Sequence, residues 1–106
     1  MSNNFDAIVE SRITLIRRVL SAKGSEYATP SDRFHNFRLA ALMGRTSAPR
    51  ALWGMAAKHL VSVVDLVEGR LDHSDRDLVK EKVGDLINYL ILLEGLFEEM
   101  GGESSP

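Results

Sequence analysis

The feature that most restricts the fold of this chain is an apolar run, EKVGDLINYLILLEGLF, from Glu81 to Phe97. The run is too long for an ordinary β-strand, and its apolar residues recur at helical spacing. At about 100° per residue, one wide arc is predicted to face the core: Val79, Val83, Leu86, Ile87, Leu90, Leu93 and Phe97. Glu81, Asp85 and Asn88 align on the opposite side. The chain must therefore accommodate a long helix that is apolar on one side and carries a narrow polar stripe on the other.

The first half of the sequence predicts two further helices. An apolar face from Phe5 to Leu20 marks the first, and Gly24 is a suitable stop. Ser31 is a candidate N-cap for a short second helix that ends near Met43. Strand signals are weak, because sustained alternation and hairpin dipeptides are both missing from the sequence.

The second half predicts a helical hairpin. Ser47 caps a third helix, with Pro49 in its first turn, and that helix runs to about Glu68. A loop over residues 69–73 follows, and Ser74 is predicted to cap a fourth helix that ends near residue 99. Because short connections make antiparallel neighbours, helices three and four should pack against each other.

The predicted fold is all-α, with four helices and one long antiparallel hairpin. Residues 1–100 are expected to form a single domain, and residues 101–106 a flexible tail. The two long helices carry more apolar surface than a short second helix can cover. A homodimer or homotetramer is therefore expected to complete the fold.

Composition limits the classes of function. The chain has 106 residues, 44% of them apolar and 26% charged, with a net charge of −2, which is typical of a globular domain. The charge balance gives no reason to expect nucleic-acid binding, and no apolar stretch is long enough to cross a membrane. The absence of cysteine excludes disulfides and thiolate metal sites. A cytoplasmic protein is expected.

Polar stripes on the two hairpin helices are the candidate site. Lys58, Ser62 and Asp65 share one face of helix three, and Leu60, Val63, Val64 and Val67 form its bulky face. If the stripes meet, Asp65, Glu81 and Asp85 lie near one another. Carboxylates suit Mg²⁺, and Lys58 suits a phosphate. A solvent-facing polar side explains the same spacing, so both interpretations stay open.

The connection KGSEYATPSDRFHNF supplies a second group of candidates. Lys23, Tyr27 and Asn36 combine a cation, an aromatic ring and an amide, which together could hold a base and its phosphates. The alternative is an ordinary turn in which Phe34 and Phe37 anchor the core. His35 and His59 are expected to be surface or capping residues. Trp53 is expected in the core.

Four stretches, KGSEYA, FHNFRLAA, AKHLVSVVDLV and EKVGDLINYLILL, resemble the small phage and prophage MazG-like proteins. These belong to the all-α nucleotide pyrophosphohydrolases, near the nucleotide modification associated domains. The resemblance covers about residues 23–93. It implies an oligomeric helical fold, in the host cytoplasm if phage-encoded, and Mg²⁺-dependent cleavage of a nucleoside triphosphate to a monophosphate and pyrophosphate.

The resemblance also implies residue roles. Glu81 and Asp85 match the acidic pair of an E-x-x-G-D element as catalytic and metal-binding residues, and Asn88 extends that face. The family's E-x-x-E pair on the preceding helix is replaced here by Lys58, Ser62 and Asp65, and Lys82 replaces a second Glu. The expected metal ligands are Asp65, Glu81 and Asp85. The expected substrate-binding residues are Lys23, Tyr27, Asn36, Lys58 and Asn88.

Three functions follow from these observations. The first is a Mg²⁺-dependent nucleotide pyrophosphohydrolase. The second is a nucleotide-binding module that has lost hydrolysis, which the missing E-x-x-E pair favours. The third is a helical factor that acts on a protein partner, with the polar stripes as buried networks that specify pairing.

Overall fold

A computed structural model of the chain describes residues 2–23 and 33–104, and the regular elements in those ranges are all helices. They are α1 (Ser2–Arg17), which continues as a π-helical segment (Arg18–Lys23), α2 (His35–Gly44), α3 (Ala48–Val67) and α4 (Arg76–Ser104). The all-α prediction is confirmed. The chain divides into two compact units, residues 1–33 and residues 34–106.

Helix α1 carries the predicted apolar stripe. Phe5, Ile8 and Val9 are exposed side chains on it, and the Thr14 hydroxyl donates to the carbonyl of Glu10 within the helix. The predicted stop at Gly24 and the predicted cap at Ser31 lie outside the described residues. The predicted apolar face of α1 is therefore exposed in this structure.

Helix α2 begins at His35, directly after Phe34, whose carbonyl accepts hydrogen bonds from the amides of Phe37 and Arg38. It ends on Arg45, which adopts the left-handed conformation at φ 54°. Gly44, the predicted stop, is instead the last helical residue. The left-handed conformation costs a non-glycine residue about 1–2 kcal/mol. The amide of Thr46 offsets part of this cost by donating to the carbonyl of Ala41.

Helix α3 begins as predicted. The Ser47 hydroxyl accepts from the amide of Arg50 at 3.2 Å, and a proline stands in the first turn. The helix ends at Val67, and Gly69 turns the chain at φ +80°, a conformation that glycine adopts without cost.

Helix α4 has a different cap from the predicted one. Asp75 caps it, with Oδ1 accepting from the amide of Leu78 at 3.1 Å. Ser74 turns back into the loop, and its amide and hydroxyl both donate to Asp72. The capping-box prediction was wrong by one residue because Asp72 competes for the Ser74 hydroxyl. The helix also extends to Ser104, so the backbone of residues 101–104, in the predicted tail, is helical.

The core of the α2–α4 unit lies at the end of the hairpin far from its loop. Leu52 of α3 and Leu96 of α4 are completely buried, together with Phe34 and Phe37 beside α2. The prediction that both phenylalanines anchor the core is confirmed. Gly95 makes room for Phe34, because a Cβ atom at residue 95 would lie 3.2 Å from the phenylalanine Cζ. Low-numbered residues of α3 contact high-numbered residues of α4, so the predicted antiparallel hairpin is confirmed.

The predicted core faces of both long helices were wrong in part. On α4, Leu96 is buried while Leu90 and Phe97 are 46% and 54% exposed. Leu93, from the predicted face, does pack at the edge of the core. Helix α4 is thus rotated so that the side carrying Asp85 and Leu96 faces its neighbours.

A similar rotation holds for α3. Leu52, Ala56 and Leu66 are buried, while Leu60, Val64 and Val67 of the predicted bulky face are exposed. Trp53, expected in the core, is exposed as well. Within the described ranges, none of the helices combines the length and apolar character that a membrane span requires.

Candidate functional site

The three residues of the polar stripe of α4 differ in how far they are exposed. Glu81 is exposed near the start of the helix, Asp85 is half-buried one turn later, and Asn88 is half-buried beyond it. Asp75 caps the start of the helix that carries this stripe. The alignment predicted from the sequence holds, because the three residues lie on one long uninterrupted helix.

Asp85 meets a histidine of α3. Its Oδ2 lies 3.6 Å from His59 Nδ1, and the His59 side chain is only 18% exposed. The two groups form an ion pair when the imidazole is protonated. The pair pins α3 to α4 midway along the hairpin.

Aromatic rings extend this contact from α3 and α4 to α2. The His59 ring stacks on Tyr89 with a centroid distance of 4.8 Å and an interplanar angle of 28°. Tyr89 meets Phe37 edge-on, with centroids 6.3 Å apart. The rings from α2, α4 and α3 therefore form one continuous row, and Asp85 lies at the histidine end of it.

Asn88 lies beside this row and carries a buried acceptor. Its Oδ1 is buried, and no donor in the described part of the chain lies within hydrogen-bonding distance. Leaving a buried carbonyl without a donor costs about 1–3 kcal/mol. The Oδ1 atom of Asn88 therefore makes no hydrogen bond that would offset its burial among the described residues.

Asp65 serves the loop of the hairpin. Its Oδ1 accepts from Arg70 Nε at 2.9 Å, and its carbonyl accepts from the amides of Arg70 and Leu71. These bonds close the turn between α3 and α4. The carboxylate thus has a structural partner within the loop.

Glu81 has a weaker contact. Its carboxylate lies 3.7 Å from Lys82 Nζ, and its side chain is 61% exposed. Exposed pairs of this kind contribute little. Each of the three predicted metal ligands thus faces a different basic side chain. Over residues 4–21 and 33–101, no three His, Asp or Glu side chains come close enough to hold a metal ion.

The remaining predicted site residues are spread over the chain. Lys58 is exposed on α3, and its carbonyl accepts from the Ser62 hydroxyl. Asn36 is exposed in the first turn of α2. Lys23 is the last residue of the π-helical segment. Tyr27 lies outside the described residues.

The sequence-based interpretation missed His59, which was expected at the surface. A signal for it existed in the hairpin. His59 and Asp85 stand at equal distances from Asp72 in the loop, since 72 − 59 = 13 and 85 − 72 = 13. Residues equidistant from the loop face each other in an antiparallel pair, so the contact follows once the loop is located.

No family model, curated protein or solved structure matches this chain.

Proposed function

We propose that this chain is a MazG-like pyrophosphohydrolase that converts nucleoside or deoxynucleoside triphosphates to monophosphates and pyrophosphate. The observation that supports the proposal is the Asp85–Asn88 face of α4. It combines a half-buried carboxylate held opposite α3 by His59 with a buried amide acceptor that has no protein donor among the described residues. Its sequence element, EKVGDLINYLILL, is one of the four stretches that carry the family resemblance.

Different side chains of this site would bind different parts of the nucleotide. Lys58, exposed on α3, would bind a phosphate as a point charge. Asn88 would accept a hydrogen bond from a base or sugar after its side chain turns outward, because its Oδ1 is buried in this arrangement. Asn36, Tyr27 and Lys23 are proposed to contact the rest of the nucleotide, as the resemblance suggests.

Magnesium is the metal ion that the family resemblance implies. The carboxylates that would hold it are Asp65, Glu81 and Asp85, but their present contacts do not fit a shared ion. Asp65 binds Arg70, and Asp85 faces His59. A Mg²⁺ requirement is therefore an arm of the test, and no role in hydrolysis is assigned to the ion here.

The test is pyrophosphate release from a panel of canonical and modified deoxynucleoside triphosphates, with and without Mg²⁺. We expect turnover by the wild-type chain, a loss of at least tenfold for Asp85→Asn, and little change for Asp77→Asn. Asp77 is a matched control, since it is an exposed acid in the first turn of the same helix. Turnover that does not depend on Asp85, or no turnover with any nucleotide, would contradict the proposal.

A second candidate function is nucleotide binding without hydrolysis. It is favoured by the basic partner that each of the three carboxylates has in this structure. Calorimetry would then show nucleotide binding that survives chelation of divalent metal, with no pyrophosphate released. Binding that disappears with the chelator would argue against this candidate.

Self-association is part of both candidates. Many large apolar side chains remain exposed on the described helices, among them Leu60, Val64, Leu90 and Phe97. Exposed apolar side chains typically mark an interface where they form a contiguous patch. We propose a homodimer or homotetramer.

A further inference from the structure

Helix α4 carries a heptad repeat beside the face that packs against α3. The apolar positions alternate at spacings of four and three residues: Val79, Val83, Leu86, Leu90, Leu93, Phe97 and Met100. No charged residue occupies any of these seven positions. They span about 32 Å of helix. We call this row the seam. Its spacing is the one that keeps two helices in contact over several turns.

Packing inside the α2–α4 unit leaves part of the seam exposed. That unit packs against a different side of α4, through Tyr89, Leu92 and Leu96. Leu90 and Phe97 are about half exposed, and Met100 is 37% exposed. Leu93 alone among the seam residues touches the edge of the core. Leu90, Phe97 and Met100 are therefore the seam residues most open to another helix, while the other four are partly buried within the protomer.

We propose that the seam binds the seam of a second copy of this chain, with the two α4 helices antiparallel. The inference deepens the self-association proposed above, because it names the surface and its orientation. It does not depend on nucleotide chemistry.

Charge placement supports the choice of occupant and orientation. Lys80 and Glu94 flank the seam on the same edge, each seven residues from Ile87. In an antiparallel pair, equal edges of the two helices face each other, so Lys80 of each chain lies on the same side as Glu94 of the other, about two residues (~3 Å) from its level. Flanking charges of this type set orientation in paired helices. The surface is thus complementary to itself.

A parallel pair would lack this complementarity. The edge that carries Lys80 and Glu94 would not face the same edge of the second chain, so these charges would not pair with each other. Parallel pairing also apposes one edge of the seam with the opposite edge of its neighbour. That opposite edge carries Tyr89 and Leu96, which pack within their own unit.

The antiparallel register also matches side-chain sizes across the interface. It opposes Val79 to Phe97, Val83 to Leu93 and Leu86 to Leu90, with every pair centred on one point of the helix. Smaller side chains near the start of the seam meet larger ones near its end. Large-against-small pairing fills an interface without voids.

The first test measures molecular mass by light scattering during size exclusion, on the full chain over a range of concentrations. We expect the wild-type chain to reach at least twice the 11.8 kDa of one protomer. Leu90→Glu should have half the wild-type mass, with unchanged helical circular dichroism. Val61→Glu is the matched control, an exposed apolar residue on α3 outside the seam, and it should keep the wild-type mass. A monomeric wild type, or a Leu90→Glu chain of wild-type mass, overturns the proposal.

The second test measures orientation and does not rely on a disruptive variant. The chain has no cysteine, so introduced thiols report without background. Val79→Cys and Phe97→Cys stand eighteen residues apart, about 27 Å along the helix. Each single variant should stay unlinked on oxidation, and the double variant should form a disulfide-linked dimer. Efficient linkage of either single variant would show a parallel pair and overturn the proposal, as would an unlinked double variant.

These readouts separate the two proposals. If pyrophosphate release fails while the mass and disulfide results hold, only the nucleotide function is lost. If hydrolysis is found while Leu90→Glu leaves the mass unchanged, only the seam proposal is lost.

Discussion

One side of α4 carries Asp85, Asn88 and Tyr89 and packs against α3, whereas the other carries Val83, Leu90 and Phe97 and stays partly exposed. Apolar content alone would assign these sides the other way round. The difference shows that a polar residue is tolerated inside the protomer when it has a partner, as Asp85 has in His59. The apolar row on the other side is the surface that we propose a second chain covers. The predictions below test this division of α4.

The largest effect is expected from paired truncations on the two sides. Leu96→Ala removes a completely buried side chain and should lower the free energy of unfolding of the protomer by about 2–5 kcal/mol. Leu90→Ala, at a half-exposed seam position, should cost the protomer much less and weaken association instead. Urea unfolding at low concentration measures the first effect, and dilution-dependent mass the second. Equal losses of protomer stability would mean that the two sides are not distinct.

Asn88 offers a gain in stability. Asn88→Leu replaces a buried acceptor that lacks a donor among the described residues with an apolar group of similar size. The free energy of unfolding should rise by about 1–3 kcal/mol, and nucleotide binding, where present, should fall. Thermal unfolding with and without nucleotide measures both. A destabilised variant would show that the amide makes a bond that the polar side of α4 needs.

The smallest change in the free energy of unfolding is expected from a substitution in the loop between α3 and α4. The loop lies outside both sides of α4, so this change is a reference for the other two. The Ser74 hydroxyl, and then the Ser74 amide, donate to Asp72 and lower the pKa of that carboxyl below its ordinary value. A lowered folded-state pKa contributes stability above the unfolded pKa, and this contribution is lost as the pH falls through the folded value. Ser74→Ala should therefore unfold slightly more easily near neutral pH, with the difference vanishing in strong acid. Unfolding curves at pH 7 and pH 2 measure this, and a difference that grows in acid would contradict it.

The helices and the hairpin were predictable because their signals are local. Ser47, Pro49 and Gly69 act within a few residues of the boundaries they set. The rotation of α4 was not predictable in the same way, because it depends on tertiary contacts. Phe34 packs over Gly95, and Tyr89 meets Phe37. These contacts outweigh the larger apolar arc, which periodicity alone had assigned to the core.

The candidate site was predictable in part for the same reason. The alignment of Glu81, Asp85 and Asn88 follows from helical spacing within one element. The partners of these residues lie on other elements or in the loop, as His59 and Arg70 do. Spacing within one helix carries no information on such partners. Asp65 was therefore expected beside Asp85, whereas in the structure it binds Arg70 and closes the loop.

The most direct test of the two-sided account of α4 is thermal unfolding of wild type and Leu90→Glu over a hundredfold range of concentration. Association stabilises the folded state by mass action. The wild-type midpoint should therefore rise with concentration. The Leu90→Glu midpoint should stay constant, near the wild-type value at the lowest concentration. A variant midpoint far below the wild type at every concentration would place the seam inside the protomer's own core and contradict the account.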